Sequence, residues 1–189
     1  MAFAFSVIEA HETIMNLFLS NREIYDKVIC GLVPQTRKLL WIATADIKDM
    51  YVAVPGEKEM IPFLGMLDRL LARGVDIRLI HAKEPGPNFR QDFDRYPRLW
   101  KQMERVLCPR VHFKCIIADR TKAFFGSANL TGAGLGAKSD SRRNFENGIL
   151  TDQPSLVEPL CEQFDSVWRG SCCVNCGRRQ FCGYGPVTV

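Results

Sequence analysis

A change of period at Gly74 constrains this chain more than any other feature. From Glu59 to Arg73 the apolar residues Ile61, Leu64, Leu67 and Leu71 recur on one helical face, and Gly74 stops the run. Immediately afterwards Val75, Ile77 and Leu79 alternate with Asp76 and Arg78, which is the period of a strand. Upstream, KLLWIATA is an apolar run of the length of a buried strand. A strand, a helix and a second strand in this order form the crossover unit of an α/β domain.

The alternation continues to Trp168. Pro85, Gly86 and Pro87 predict a loop, and Leu99, Met103, Val106 and Leu107 an amphipathic helix ending near Cys108-Pro109. VHFKCIIAD and TKAFFG follow as strands, then NLTGAGLGAKSDSRR as a glycine-rich loop, NFENGILT as a strand, and Pro154 to Trp168 as a helix burying Leu156, Leu160, Phe164 and Trp168. The expected division is a catalytic domain over 1–170 and a cysteine-rich tail over 171–189.

A chain of 189 residues with 47% hydrophobic and 24% charged residues has the composition of one globular domain. No apolar run approaches the roughly 20 residues of a membrane span, and no basic segment leads into an apolar signal core, so a soluble cytoplasmic protein is expected. The net charge of +4 is compatible with an anionic substrate without demonstrating one. Basic residues gather at Lys83, Arg90, Arg95, Arg98, Lys101, Arg105 and Arg110, and again at Lys138, Arg142 and Arg143, with acidic residues interleaved; a solvated face explains them as well as a substrate does.

The chemistry concentrates between Val111 and Gly134. Strand alternation sends Val111, Phe113, Cys115 and Ile117 to one face, so His112 and Lys114 project together from the other and can meet one ligand. Imidazole can attack phosphorus or shuttle a proton, and an adjacent ammonium neutralises phosphate charge. Asp119 can orient a histidine, and Ser127 and Asn129, placed by a turn at Gly126, supply short donors for phosphate oxygens. Six specified residues at a background of about one in twenty each would coincide by chance in roughly one chain per few hundred thousand.

This series of histidine, lysine, aspartate and glycine-serine-x-asparagine closely resembles the HKD signature of the phospholipase D superfamily. The resemblance extends to KLLWIATADI, to LLARGVDIRLI and to Asn144-Phe145-Glu146. It implies a mixed, mostly parallel sheet flanked by helices, and two such motifs facing one another across an interface. It also implies a metal-independent reaction through a phosphohistidine, with His112 as nucleophile in one copy and acid/base in the other. Lys114 and Asn129 would hold phosphate, Ser127 would support them, Asp119 would act behind the histidine, and Glu146 would hydrogen-bond a catalytic histidine. His81-Ala-Lys83 repeats the first spacing, but Asn88 stands where the aspartate is expected, and His11 lies in an expected helix. The second motif is therefore expected from another chain, most simply in a two-fold homodimer. Compact single-motif members resemble bacterial endonucleases, which favours nucleic acid as the phosphodiester substrate. A phospholipid phosphodiesterase or phosphatidyl transferase and a non-enzymatic nucleic-acid-binding module stay open.

Of eight cysteines, Cys172, Cys173, Cys176 and Cys182 crowd the tail. Cys-x-x-Cys spacing without an export signal points to a metal rather than to disulfides. These four thiols are the expected ligands of a structural zinc ion or iron–sulfur cluster, although Cys172 and Cys173 are adjacent and crowd a single ion. The x2 and x5 spacing also resembles the iron–sulfur staple of certain recombination nucleases, in which a distant upstream cysteine completes the set; Cys108 or Cys30 can fill that place here.

Overall fold

A computed structural model describes residues 14–182 except 49 and 55. The chain runs through β1 (Asn16–Ser20), α1 (Arg22–Ile24), a π-helical segment (Tyr25–Leu32) and α2 (Val33–Gln35) into β2 (Leu39–Thr44), β3 (Tyr51–Val52) and β4 (Ile61–Pro62). Then come α3 (Phe63–Ala72), β5 (Asp76–His81), α4 (Pro87–Asp94), α5 (Pro97–Gln102), β6 (Glu104–Leu107), β7 (Lys114–Ala118), β8 (Lys122–Gly126), β9 (Asn147–Thr151) and α6 (Pro154–Trp168).

The period change at Gly74 is the joint between α3 and β5. Gly74 takes φ +80°, a left-handed conformation that caps the helix without a Cβ penalty, and its amide donates to the Leu71 carbonyl at 2.9 Å. The chain then lays β5 parallel to β2, from Leu39 opposite Asp76 to Thr44 opposite His81. The expected crossover unit is present.

Seven strands form one sheet in the order β1-β9-β8-β7-β2-β5-β6. It is mixed, as expected, but its parallel part is confined to β2, β5 and β6, and the other four ladders are antiparallel. The physical reason is connection length. Only three residues separate β7 from β8, enough for a hairpin and far too few for a crossover.

Two further elements depart from sequence expectation. Val106 and Leu107 belong to β6, paired with Ile80 and His81, and the helix ends at Gln102. The stretch ERVL fits either period, and a partner strand at the sheet edge decides it. The start of the helix expected from Glu59 is also later, because Ile61–Pro62 pairs with Tyr51–Val52 and Pro62 holds the residue before it extended.

Alternation in the strands builds two cores. Leu40, Ile42, Ile77, Leu79, Ile116 and Phe124 face α3 and the helical segment after β1. Trp41, Ala43, Ile80, Cys115 and Ile117 face α6, which buries Val157, Cys161, Phe164 and Trp168; Leu156 and Leu160 are only partly covered. Trp41 stacks on Phe164 with ring centroids 4.9 Å apart, and the Arg78 guanidinium lies over both Trp41 and Trp168.

Candidate active site

The alternation read for VHFKCIIAD holds in three dimensions. Val111, Cys115 and Ile117 are buried in the α6 core with Phe113 packed against them, so His112 and Lys114 emerge on the opposite face. Lys114 opens β7 and His112 lies exposed just before it. The Lys114 Nζ stands 3.3 Å from His112 Nδ1 and 3.4 Å from Nε2, nearly equidistant from both ring nitrogens. An anionic group can therefore meet ammonium and imidazole together. Burial pulls the Lys114 ammonium below its usual value, and the Glu146 carboxylate draws it partly back.

The glycine-serine-x-asparagine turn reaches the same end of the sheet because Lys114 pairs with Gly126 across the β7–β8 ladder. Gly126 in turn pairs with Gly148 on β9. A Cβ on Gly126 would overlap the Asn147 carbonyl oxygen and stand 2.6 Å from the Gly148 Cα, so this close approach admits no side chain. It sets Ser127 beside Glu146: the Ser127 hydroxyl donates to Glu146 Oε2, while Asn144 Nδ2 donates to Oε1 at 3.1 Å.

Asn129 is anchored from the other side. Its Oδ1 accepts the Asp46 amide at 3.1 Å, which leaves the Nδ2 group as a donor toward ligand. Thr44, at the end of β2, supports this arrangement. Its hydroxyl donates to the Asp46 carbonyl at 2.7 Å and accepts the Leu130 amide at 3.0 Å, with Asn129 Oδ1 3.4 Å away. Sequence reasoning missed Thr44 and Asp46. Their only signal is position, just past a parallel strand, where α/β sheets place ligands.

Asp119 is not brought to this cluster. It lies at the far end of β7, five residues and roughly 16 Å of strand from Lys114. Its carboxylate accepts the amides of Arg37, Lys38 and Leu39 at 3.0, 2.7 and 3.0 Å, tying the entry of β2 to the β7–β8 hairpin. Burial opposes its ionisation, but the three amide donors outweigh that and hold the carboxyl below its usual value. His81 is fully buried on β5; its Nδ1 pairs with the Lys83 carbonyl at 2.7 Å, and burial pushes the imidazole toward its neutral form. It is not a site residue. His11 lies outside the described residues.

Three members of the basic clusters are ion-paired with neighbours. Arg95 pairs with Asp92, Arg98 with Asp68 and Arg143 with Asp140. Lys48 and Lys138 line an open cavity of about 830 Å³ beside Thr131 and Gly132, but Asp46, Glu84 and Asp92 share its wall. Charge alone does not select a substrate there.

Residues 29–168 match the family described as cardiolipin synthase, PLD-like domain. The chain belongs to the phospholipase D superfamily. No curated protein matches the sequence. Among solved structures, this phospholipase D-like chain resembles NucT from Helicobacter pylori, at a TM-score of 0.60 and 14% identity over 82% of this chain and 95% of that one. It resembles Nuc, a phospholipase D family member from Salmonella typhimurium, equally well, at 0.60 and 16% identity with the same coverage. A phosphatidylserine synthase from Haemophilus influenzae Rd KW20 matches at 0.56 and 12% identity over 78% of this chain and 35% of that one. At these identities the likeness is one of fold. Among the described residues no helix is long and apolar enough to cross a membrane.

The tail thiols differ from expectation. Among the described residues, no group of three or more histidine, cysteine or acidic side chains is arranged to hold a metal ion. Cys172, Cys173, Cys176 and Cys182 are free thiols, and Cys172 is exposed. Cys30 lies elsewhere, at the edge of the core that faces α3.

Proposed function

We propose that this chain is a phosphodiesterase that cleaves nucleic acid as a homodimer through a phosphohistidine. The disposition of the histidines supports it. His112 is exposed beside Lys114, whereas His81, the other histidine among the described residues, is buried. The described residues of one chain thus offer one exposed imidazole, and the proposed reaction uses two, one as nucleophile and one as acid/base. A second copy related by a two-fold axis supplies the other.

In the proposed reaction an imidazole nitrogen of His112 bonds to phosphorus as the P–O bond to the leaving group breaks. The second copy's His112 gives its proton to that oxygen. Water then attacks phosphorus, loses a proton to the same imidazole, and the P–N bond breaks. Lys114 and the Asn129 amide hold the non-bridging oxygens, whose charge grows in the transition state. Ser127 and Glu146 hydrogen-bond as a pair beside them, and Glu146 takes the role of orienting the imidazole that reaches in from the second copy. No metal takes part in these steps.

Nucleic acid is favoured over lipid because the chain has the extent of Nuc and NucT, whereas it spans only about a third of the phosphatidylserine synthase. The match to a family described by cardiolipin synthase keeps a lipid phosphodiester as the second reading. Single-stranded DNA, duplex DNA and phosphatidylcholine are each incubated with wild type and with His112→Ala in chelator. Cleavage of nucleic acid that falls at least about 10³-fold in the folded variant is expected. Lipid turnover would transfer the activity to the second reading, and binding without cleavage would leave a nucleic-acid-binding scaffold. A strictly monomeric active protein, measured by solution mass, would contradict the paired imidazoles.

A further inference from the structure

The cysteines regroup in the folded chain. A cavity of about 360 Å³ between the tail and the segment leading into β7 is lined by five cysteines, Cys108, Cys172, Cys173, Cys176 and Cys182, together with Arg110, Val111 and Phe113. Of these five thiols Cys172 is exposed, and the other four are half-buried. Sequence distance gives no hint of this. Cys108 lies 65 residues before Cys173 and arrives because β6 ends beside β5, the Cys108 amide donating to the His81 carbonyl at 2.9 Å.

We infer that Cys108, Cys173, Cys176 and Cys182 form a four-thiolate site for a soft metal centre, with Cys172 outside the ligand set. Three observations support it. The Cys-x-x-Cys turn is preformed, since the Cys176 amide donates to the Cys173 carbonyl at 3.2 Å. Arg110 and Arg179 line the same cavity, and their guanidiniums offset the negative charge of a thiolate-bound centre. The loop and the tail are also tied around the cavity: Arg110 donates to the Cys172 carbonyl at 3.4 Å and Arg178 to the Pro109 carbonyl at 3.3 Å. Cys172, adjacent to Cys173 and the exposed thiol of the five, is the one left out of the set.

Each thiol binds as thiolate and releases its proton on metal binding. Thiolates suit a zinc ion, which they bind at about 2.3 Å, or an iron–sulfur cluster, and either centre would draw the four sulfurs together, since no three of them are arranged to hold a metal ion as they stand. Val111 and Phe113, which flank His112, are part of the cavity wall, so an occupied site would brace the segment that carries the proposed nucleophile.

The test reads metal and thiol protection rather than turnover, so it stands or falls apart from the proposed phosphodiesterase. The full chain is purified anaerobically, and iron, acid-labile sulfide and zinc are measured per chain for wild type, Cys172→Ser and Cys108→Ser. Wild type and Cys172→Ser are expected to carry a full complement, and Cys108→Ser to lose it at least about fivefold. Iron with sulfide identifies a cluster, and zinc a single ion; either supports the ligand set. Should Cys108→Ser fail to fold, iodoacetamide labelling of native wild type decides: Cys172 is modified at once, and Cys108, Cys173, Cys176 and Cys182 only after chelation or denaturation. Absence of both metals from wild type, or equal labelling of Cys172 and Cys176, would overturn the site.

Discussion

The Asp119 carboxylate accepts the Lys38 amide at 2.7 Å, at the end of β7 remote from Lys114. The aspartate of the signature is thus a fastener between two strand ends rather than a neighbour of the imidazole. It holds φ +54°, and Arg120 follows at +57°, so the hairpin turns through two left-handed residues with Asp119 clamped by three amides.

Asp119→Asn isolates the charge, because asparagine tolerates the same backbone conformation. Loss of charge-assisted bonds should cost about 1–3 kcal/mol at pH 7. The wild-type carboxyl is held below its unfolded value, so its contribution is present above that value and fades as pH falls through the lowered one. Urea midpoints of variant and wild type should therefore differ at pH 7 and converge toward pH 2, with turnover per folded protein little changed. Equal midpoints at pH 7 would refute the fastener.

Lys114 carries a stability cost. Its ammonium is held below the unfolded value by burial, so the charged form weighs against folding at neutral pH and the burden lifts as pH rises through the lowered value. Lys114→Met should raise the thermal midpoint slightly at pH 7 while reducing turnover about 10²–10³-fold. A variant that is less stable than wild type at pH 7 would show that the ammonium is held by favourable contacts instead.

Glu146 is the carboxylate that favours the charged form of Lys114. Glu146→Gln removes that attraction, so the alkaline limb of the pH–rate profile should move to lower pH, with kcat down about 10–100-fold. Ser127→Ala, which removes only the hydroxyl bonded to Glu146, should lower kcat without moving the limb. An unmoved limb in Glu146→Gln would separate the two side chains electrostatically.

Gly126→Ala should destabilise the fold by about 2–4 kcal/mol, because the added methyl meets the Asn147 carbonyl and Gly148 Cα, which are backbone atoms with nowhere to yield. Chemical denaturation reads this directly. A loss below about 0.5 kcal/mol would mean that the β8–β9 ladder opens easily.

Local pattern determined much of this protein. The 3.6-residue recurrence in α3, the stop at Gly74 and the alternation in β5 and β7 are each written in neighbouring residues, because side-chain direction follows from backbone period. That same rule put His112 and Lys114 on one face without any knowledge of the sheet. Tertiary structure decided what depends on partners far along the chain. Val106 and Leu107 became a strand because β5 offered an edge, β1 was found by β9, and Asp119 was assigned to the amides of residues 37–39 rather than to a histidine. The gathering of Cys108 with Cys173, Cys176 and Cys182 follows the same logic. Residues distant in sequence meet only when the whole sheet is assembled, and no local period encodes where its strands will end.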